Sequence, residues 1–153
     1  MSIKHFIIPL PDGMPKGTAQ QKGERVISNG GRPYVIHYKK KNVREARKIF
    51  AKEIDKHRPE VPTDCPISLT LVFYFDVKDK KKWGKPKTTR PDADNIAKEC
   101  IDTFEGYWRD DAQIYRLDVQ KYYAETAFIE VRLEFKDGKH SVNFERNTDP
   151  WTN

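Results

Sequence analysis

The sequence predicts a single α+β domain, with a mixed β-sheet of about four strands packed against two main helices. Three observations lead there. Residues 66–77 (PISLTLVFYFDV) alternate with period two and are apolar on both faces, the pattern of a central strand. Residues 41–57 and 94–104 carry apolar side chains at helical spacing. The chain has 153 residues, 37% of them apolar and 34% charged, which is the size of one domain. At that length roughly 68–70% of the unfolded surface can be buried, enough for a core.

In order along the chain, residues 2–10 (SIKHFIIPL) are β-branched and apolar, ending among Pro9 and Pro11, and predict a strand. Residues 11–31 are rich in Pro, Gly, Lys and Gln without an apolar period, and predict a long loop whose Lys16, Lys22, Arg25 and Arg32 can reach phosphates. Residues 34–38 predict a short extended piece. The first helix follows at 41–57, with Val43, Ala46, Phe50 and Ile54 on one side, and Pro59 and Pro62 forbid its continuation. After the central strand, Gly84 and Pro86 argue against regular structure in residues 78–90. The second helix, 94–104, gathers Ile96, Ala97, Cys100, Ile101 and Phe104 on one arc and Asp94, Asn95, Lys98, Asp102 and Glu105 on the other. Asp92 takes the N-cap place and Gly106 the C′ place. Residues 112–124 and 126–135 predict two last strands, joined as a hairpin at Glu125. Residues 1–136 thus form the domain, and the polar residues 137–153 a loosely held tail.

The charge distribution is more telling than the net charge of +6. Residues 78–90 (KDKKKWGKPKTTR) hold seven basic side chains against one acid, and residues 92–118 hold eight acids against three bases. A basic block abutting an acidic one departs from a uniformly solvated surface and points to an anionic partner. Lys80, Lys81, Lys82, Lys85, Lys87 and Arg90 are the candidate phosphate contacts, with Trp83 among them as a residue that either stacks on a base or packs. No apolar run approaches the roughly 18 residues a bilayer span requires, and the N-terminus lacks a signal cleavage site. Cys65 and Cys100 form neither a disulfide framework nor a zinc spacing. These features predict a cytoplasmic protein with reduced thiols and no membrane partner.

The acidic block contains Asp92, Asp94 and, after a turn, Asp110 and Asp111, with Lys98 four residues beyond Asp94. Hydrolysis of a phosphodiester needs an activated water and neutralisation of growing oxyanion charge, which carboxylate-held Mg²⁺, or alternatively Mn²⁺, supplies. If the helix starts between Asp92 and Asp94 the two can aim at one point, and Lys98 shares the face of Asp94. A strand returning beside the helix would bring Asp111 near. Each residue also has a plainer role: Asp92 as a cap, Asp94–Lys98 as an exposed pair worth roughly 0.3–0.5 kcal/mol, and Asp110–Asp111 as turn residues. The Pro-Asp…Asp/Glu-x-Lys pattern of restriction-enzyme-like nucleases does not fit, because Asp118 and Lys121 are separated by two residues.

The run RPDADNIAKECIDTFEGYWRDDAQI, residues 90–114, followed by Lys121, resembles the RusA family of Holliday junction resolvases. The resemblance rests on Pro91, Asp92, Asp94, Asn95, Ile96 and Lys98, then Asp102, Gly106, Asp110, Asp111, Gln113 and Ile114. The N-terminal loop departs from the family in its dispersed basic residues. The resemblance implies Asp92, Asp94 and Asp111 as metal-binding catalytic carboxylates, Lys98 as a catalytic lysine, and Lys121 as a further DNA contact. It implies a homodimer acting on branched DNA, a four-way junction, by paired symmetric nicks with Mg²⁺. Competing readings are a flap- or fork-selective nuclease, a junction-binding protein without cleavage, and a structural phage protein that binds metal.

Overall fold

A computed structural model describes residues 2–14, 22–28, 30–39 and 41–136, and of residues 22–25, 36–39, 41–43 and 46 the backbone. The expected tail, 137–153, and Lys16 lie outside the described residues. The strands are β1 (Ser2–Leu10), β2 (Lys22–Ile27), β3 (Tyr34–Lys39), β4 (Ile67–Asp76), β5 (Ile114–Ala124) and β6 (Ala127–Phe135). The helices are α1 (Lys41–Asp55) and α2 (Ala93–Ile101).

Apolar on both faces, β4 suits an interior position in a sheet. It lies inside a four-stranded sheet ordered β1-β6-β4-β5, parallel to β5 and antiparallel to β6. Its Leu69, Leu71, Phe73 and Phe75 join Phe6, Ile8 and Leu10 of β1 and Ile129, Val131 and Leu133 of β6 in one core with Phe50 and Ile54 of α1 and Ile96, Ala97 and Cys100 of α2. Each buried Val, Leu, Ile or Phe side chain among them contributes about 1.5–3 kcal/mol on burial. The two helices are also tied by charge. Arg47 Nε donates to Glu99 Oε1 at 2.6 Å and Nη2 to Asp102 Oδ2 at 2.8 Å. Phe104, Tyr107 and Trp108 close one end of the core, with the Tyr107 hydroxyl donating to the Ile54 carbonyl at 2.6 Å.

The single α+β domain with two helices and a mixed four-stranded sheet is as expected, with four local corrections. Residues 22–27 are not loop: they form β2, which pairs with β3 as a separate antiparallel ribbon. α2 stops at Ile101 rather than residue 104, because the Thr103 hydroxyl takes the Cys100 carbonyl at 2.6 Å and competes with another helical turn. Gly106, at φ +79°, therefore sits in the turn beyond the helix. β5 and β6 do not pair as a hairpin, since β4 lies between them. Finally, residues 80–82 form a 3-10 turn, capped by Asp79 through Lys81 N at 3.0 Å.

Candidate active site

α2 opens at Ala93, so Asp92 is its N-cap and Asp94 lies in its first turn. The positive end of the helix dipole favours carboxylates there. Yet Asp92 makes no side-chain capping bond. Among the described residues, neither the Asp92 nor the Asp94 carboxylate has a hydrogen-bond or ion-pair partner, and Asp94 is not ion-paired with Lys98. All three side chains are exposed. Two free carboxylates thus stand at a helix start where the expected capping and pairing roles are unused.

Lys121 fixes the approach to them. It sits on β5 beside Phe73 of β4, and its ammonium donates to the carbonyls of Thr89 at 2.9 Å and Pro91 at 2.6 Å. The bond between Arg90 and Pro91 is cis. Partial burial, then repulsion from Lys87, lowers the Lys121 pKa, while the charge of Asp92 opposes the shift. Two of the three donors of this ammonium are spent on backbone, so Lys121 staples the strand to the segment leading into Asp92.

The basic segment is better ordered than its composition suggested. Gly84 N donates to the Tyr123 carbonyl at 2.8 Å, Tyr123 N to Lys85 at 3.0 Å, and Lys87 N to Lys121 at 2.9 Å, so residues 84–87 lie along the edge of β5. The Trp83 indole donates to the Val77 carbonyl at 2.9 Å with Lys80 over its ring, a packing arrangement. Lys82 and Lys87 stand over the Tyr123 ring at 5.7 and 5.2 Å, and Lys87 also over Phe75 at 5.0 Å. Thr89 Oγ1 bonds Lys87 and lies 3.3 Å from the Tyr123 hydroxyl. That hydroxyl is more acidic than usual, first through Thr89, with desolvation opposing and Lys87 and Lys82 assisting. Lys80, Lys81, Lys85 and Arg90 are exposed around this core of contacts. Motif reading passed over Thr89 and Tyr123; the period-two pattern, which places Tyr123 on the same strand face as Lys121, was the available signal.

Asp111 opens the 3-10 turn Asp111–Gln113 and accepts from the Trp108 indole at 2.7 Å. Its neighbour Asp110 is consumed in turn structure: its carboxylate accepts from Ala112 N at 2.7 Å, and its backbone N–H reaches Gln113 Oε1 at 2.9 Å. Asp111 keeps its Oδ2 free of any hydrogen bond among the described residues. A strand does run back beside α2, but the residue it brings to Asp92 is Lys121, not Asp111. Lys121 lies seven residues beyond Ile114 along β5, about 23 Å at a rise of roughly 3.3 Å each. Asp92 and Asp94 lie at one end of α2, and Asp111 lies beyond the other. Accordingly, no three carboxylate, imidazole or thiol groups among the described residues gather closely enough to hold a metal ion. No described helix is long and apolar enough to cross a membrane.

Comparison with known proteins fits this architecture. Over 79 residues the chain is 37% identical to the crossover junction endodeoxyribonuclease rusA of Lactococcus phage r1t, a match spanning 47% of this chain and 60% of that one. Over 137 residues it is 28% identical to the uncharacterized protein YqaN of Bacillus subtilis (strain 168), spanning 82% of this chain and 89% of that one. A family model for the endodeoxyribonuclease RusA matches residues 12–134, most of the domain. The chain belongs to the RusA endodeoxyribonuclease family.

Proposed function

We propose that this protein is a structure-selective endodeoxyribonuclease of the cytoplasm that resolves four-way DNA junctions by paired symmetric nicks. The observation that carries the reading is the pair of uncommitted carboxylates, Asp92 and Asp94, at the start of α2, reached through a basic segment laced to β5. Family membership supports DNA as substrate and a divalent cation as cofactor. The donor set fits Mg²⁺, which takes one or two carboxylates and keeps several waters, and Mn²⁺ accepts the same hard oxygens. Bound there, the cation supplies Lewis acidity and a lowered water pKa.

The chain's own residues do the rest. Asp92 and Asp94 set the position of the reacting phosphate against the helix start. Lys98, one turn along, offsets charge gathering on its oxygens. Lys121 holds the backbone before Asp92, and Lys80, Lys81, Lys85 and Arg90 exchange counterions for neighbouring phosphates. Water oxygen bonds to phosphorus as the bond to the 3′ oxygen breaks, leaving 5′-phosphate and 3′-hydroxyl ends.

Asp111 completes the site from a second copy. β5 ends the sheet, and from Ile114 to Gln120 no described strand pairs with its outer edge. Tyr115 and Leu117 are exposed there, at 57% and 47%. A bare edge with apolar side chains invites another strand, and a two-fold axis pairs the same edge with itself. Antiparallel pairing centred on Leu117 sets residue 111 of one chain level with residue 123 of the other. Asp111 of the partner subunit then approaches Asp92, and the two-fold dimer presents two identical sites to a junction of approximate two-fold symmetry.

The test uses a synthetic four-way junction and a plain duplex of the same sequence, each with Mg²⁺. The junction is nicked symmetrically and the duplex is spared. Asp92→Asn, Asp94→Asn and Asp111→Asn retain junction binding and lose cutting by at least about a hundredfold. Cutting of flaps or forks in preference to junctions would replace this reading with the flap nuclease. Binding without any cutting would replace it with a junction-binding protein.

A further inference from the structure

Beside the carboxylates the structure holds a cluster that the cutting chemistry does not use. Lys82 and Lys87 both approach the ring of Tyr123, and Lys121 lies two residues before Tyr123 on the same strand face. Among the described residues none of the three lysines has a carboxylate within ion-pairing distance. Like charges held near one another repel, and here the repulsion between Lys87 and Lys121 acts in the folded chain. Such a grouping is relieved by an anion. The hydroxyls of Thr89 and Tyr123, 3.3 Å apart, stand at the centre of it, with the Lys87 ammonium bonded to Thr89.

We infer that Lys82, Lys87, Thr89 and Tyr123 form a preorganised seat for one backbone phosphate of DNA, neighbouring the phosphate at Asp92. The ammonium groups supply charge, and the two hydroxyls, on giving up their bond to each other, supply directed O–H donors to the same oxyanion. The seat is rigid before DNA arrives. Tyr123 belongs to a strand, three backbone hydrogen bonds lace residues 84–87 to it, and Lys121 grips the carbonyl of Thr89 itself. Thr89 lies only three residues before Asp92, so a strand held here is held in register with the carboxylates. A phosphate contact of this kind fixes position and reads no sequence. The location relative to the cut rests on the proposed nuclease function; the seat itself does not.

The test measures junction binding without divalent cation, as a function of salt, for Tyr123→Phe, Thr89→Val and Lys87→Gln. Removing a hydroxyl removes no charge, so a diffuse basic patch would not respond to the first two. A seat responds to both, each weakening affinity by about tenfold, as loss of a hydrogen bond to a charged group does, with the salt slope unchanged. Lys87→Gln weakens binding and lowers the salt slope by about one phosphate. Tyr123→Phe keeps the ring on which the lysines stack, so it decides the matter should Thr89→Val melt early. Wild-type affinity in Tyr123→Phe, with loss only in Lys87→Gln, would overturn the seat. Because no cutting is measured, a wild-type protein that binds the junction yet never nicks it would sink the nuclease reading alone. Normal cutting by the wild type with normal binding by Tyr123→Phe would sink the seat alone.

Discussion

Arg47→Ala should be among the costliest single changes in this domain. Glu99 is fully buried on α2, and its Oε2 has no hydrogen-bond partner, so Arg47 on α1 is what compensates its charge. Burial alone would depress the Arg47 pKa; the hydrogen bond and charge of Glu99, then those of Asp102, more than offset this and raise it. Breaking a buried ion pair by removing one partner costs about 3–5 kcal/mol. Arg47 and Asp102 are 27% and 28% exposed, which favours the lower end, about 3 kcal/mol. Against a total stability of roughly 5–15 kcal/mol this is severe. At about 2–4 °C per kcal/mol for a chain of this size, Tm falls by about 6–12 °C. Urea denaturation monitored by circular dichroism gives the free energy directly. Because apolar replacements dispense with the charge altogether, Arg47→Met combined with Glu99→Leu should recover most of the loss. A Tm within about 2 °C of wild type for Arg47→Ala would refute the reasoning.

The thiols and the staple give further expectations. Burial, then the nearby charge of Glu99, pushes the Cys100 thiol well above its ordinary pKa, whereas Cys65 is partly exposed. A disulfide reagent at neutral pH should therefore modify Cys65 in the folded protein and Cys100 only after denaturant is added; equal rates would contradict this. Lys121→Met removes two charge-assisted bonds to the Thr89 and Pro91 carbonyls. The cost should be about 1–3 kcal/mol, concentrated in residues 88–92. Hydrogen exchange should rise there and at the start of α2 while the core amides stay protected; uniform protection would count against the staple.

Much of this was legible in the sequence because it depends on local period. The burial of β4 on both faces, the apolar arc of α2 and the placement of Asp92 as N-cap follow from residues near one another. What escaped depends on distant partners. Adjacent strands after residue 112 read as a hairpin, but β4, which follows α1 in the chain, occupies the position between them. Residues 22–27 hid as loop because their strand partner, β3, is what makes them extended. The motif spacing named Asp92, Asp94 and Asp111 and implied a returning strand, without revealing that Lys121, far along β5, is the residue that meets the start of α2. Composition marked residues 78–90 as basic, and only the backbone bonds to β5 show how they are presented.

The most direct measurement mixes two inactive proteins. Asp92→Asn and Asp111→Asn, each alone, should fail to nick a four-way junction. Co-expressed with separate affinity tags, they yield heterodimers in which one site carries both changes and the other carries neither. Sites completed across the β5 edge then recover single nicks, about half the wild-type number per dimer, without paired resolution. Heterodimers as inactive as either parent would contradict the shared carboxylate site.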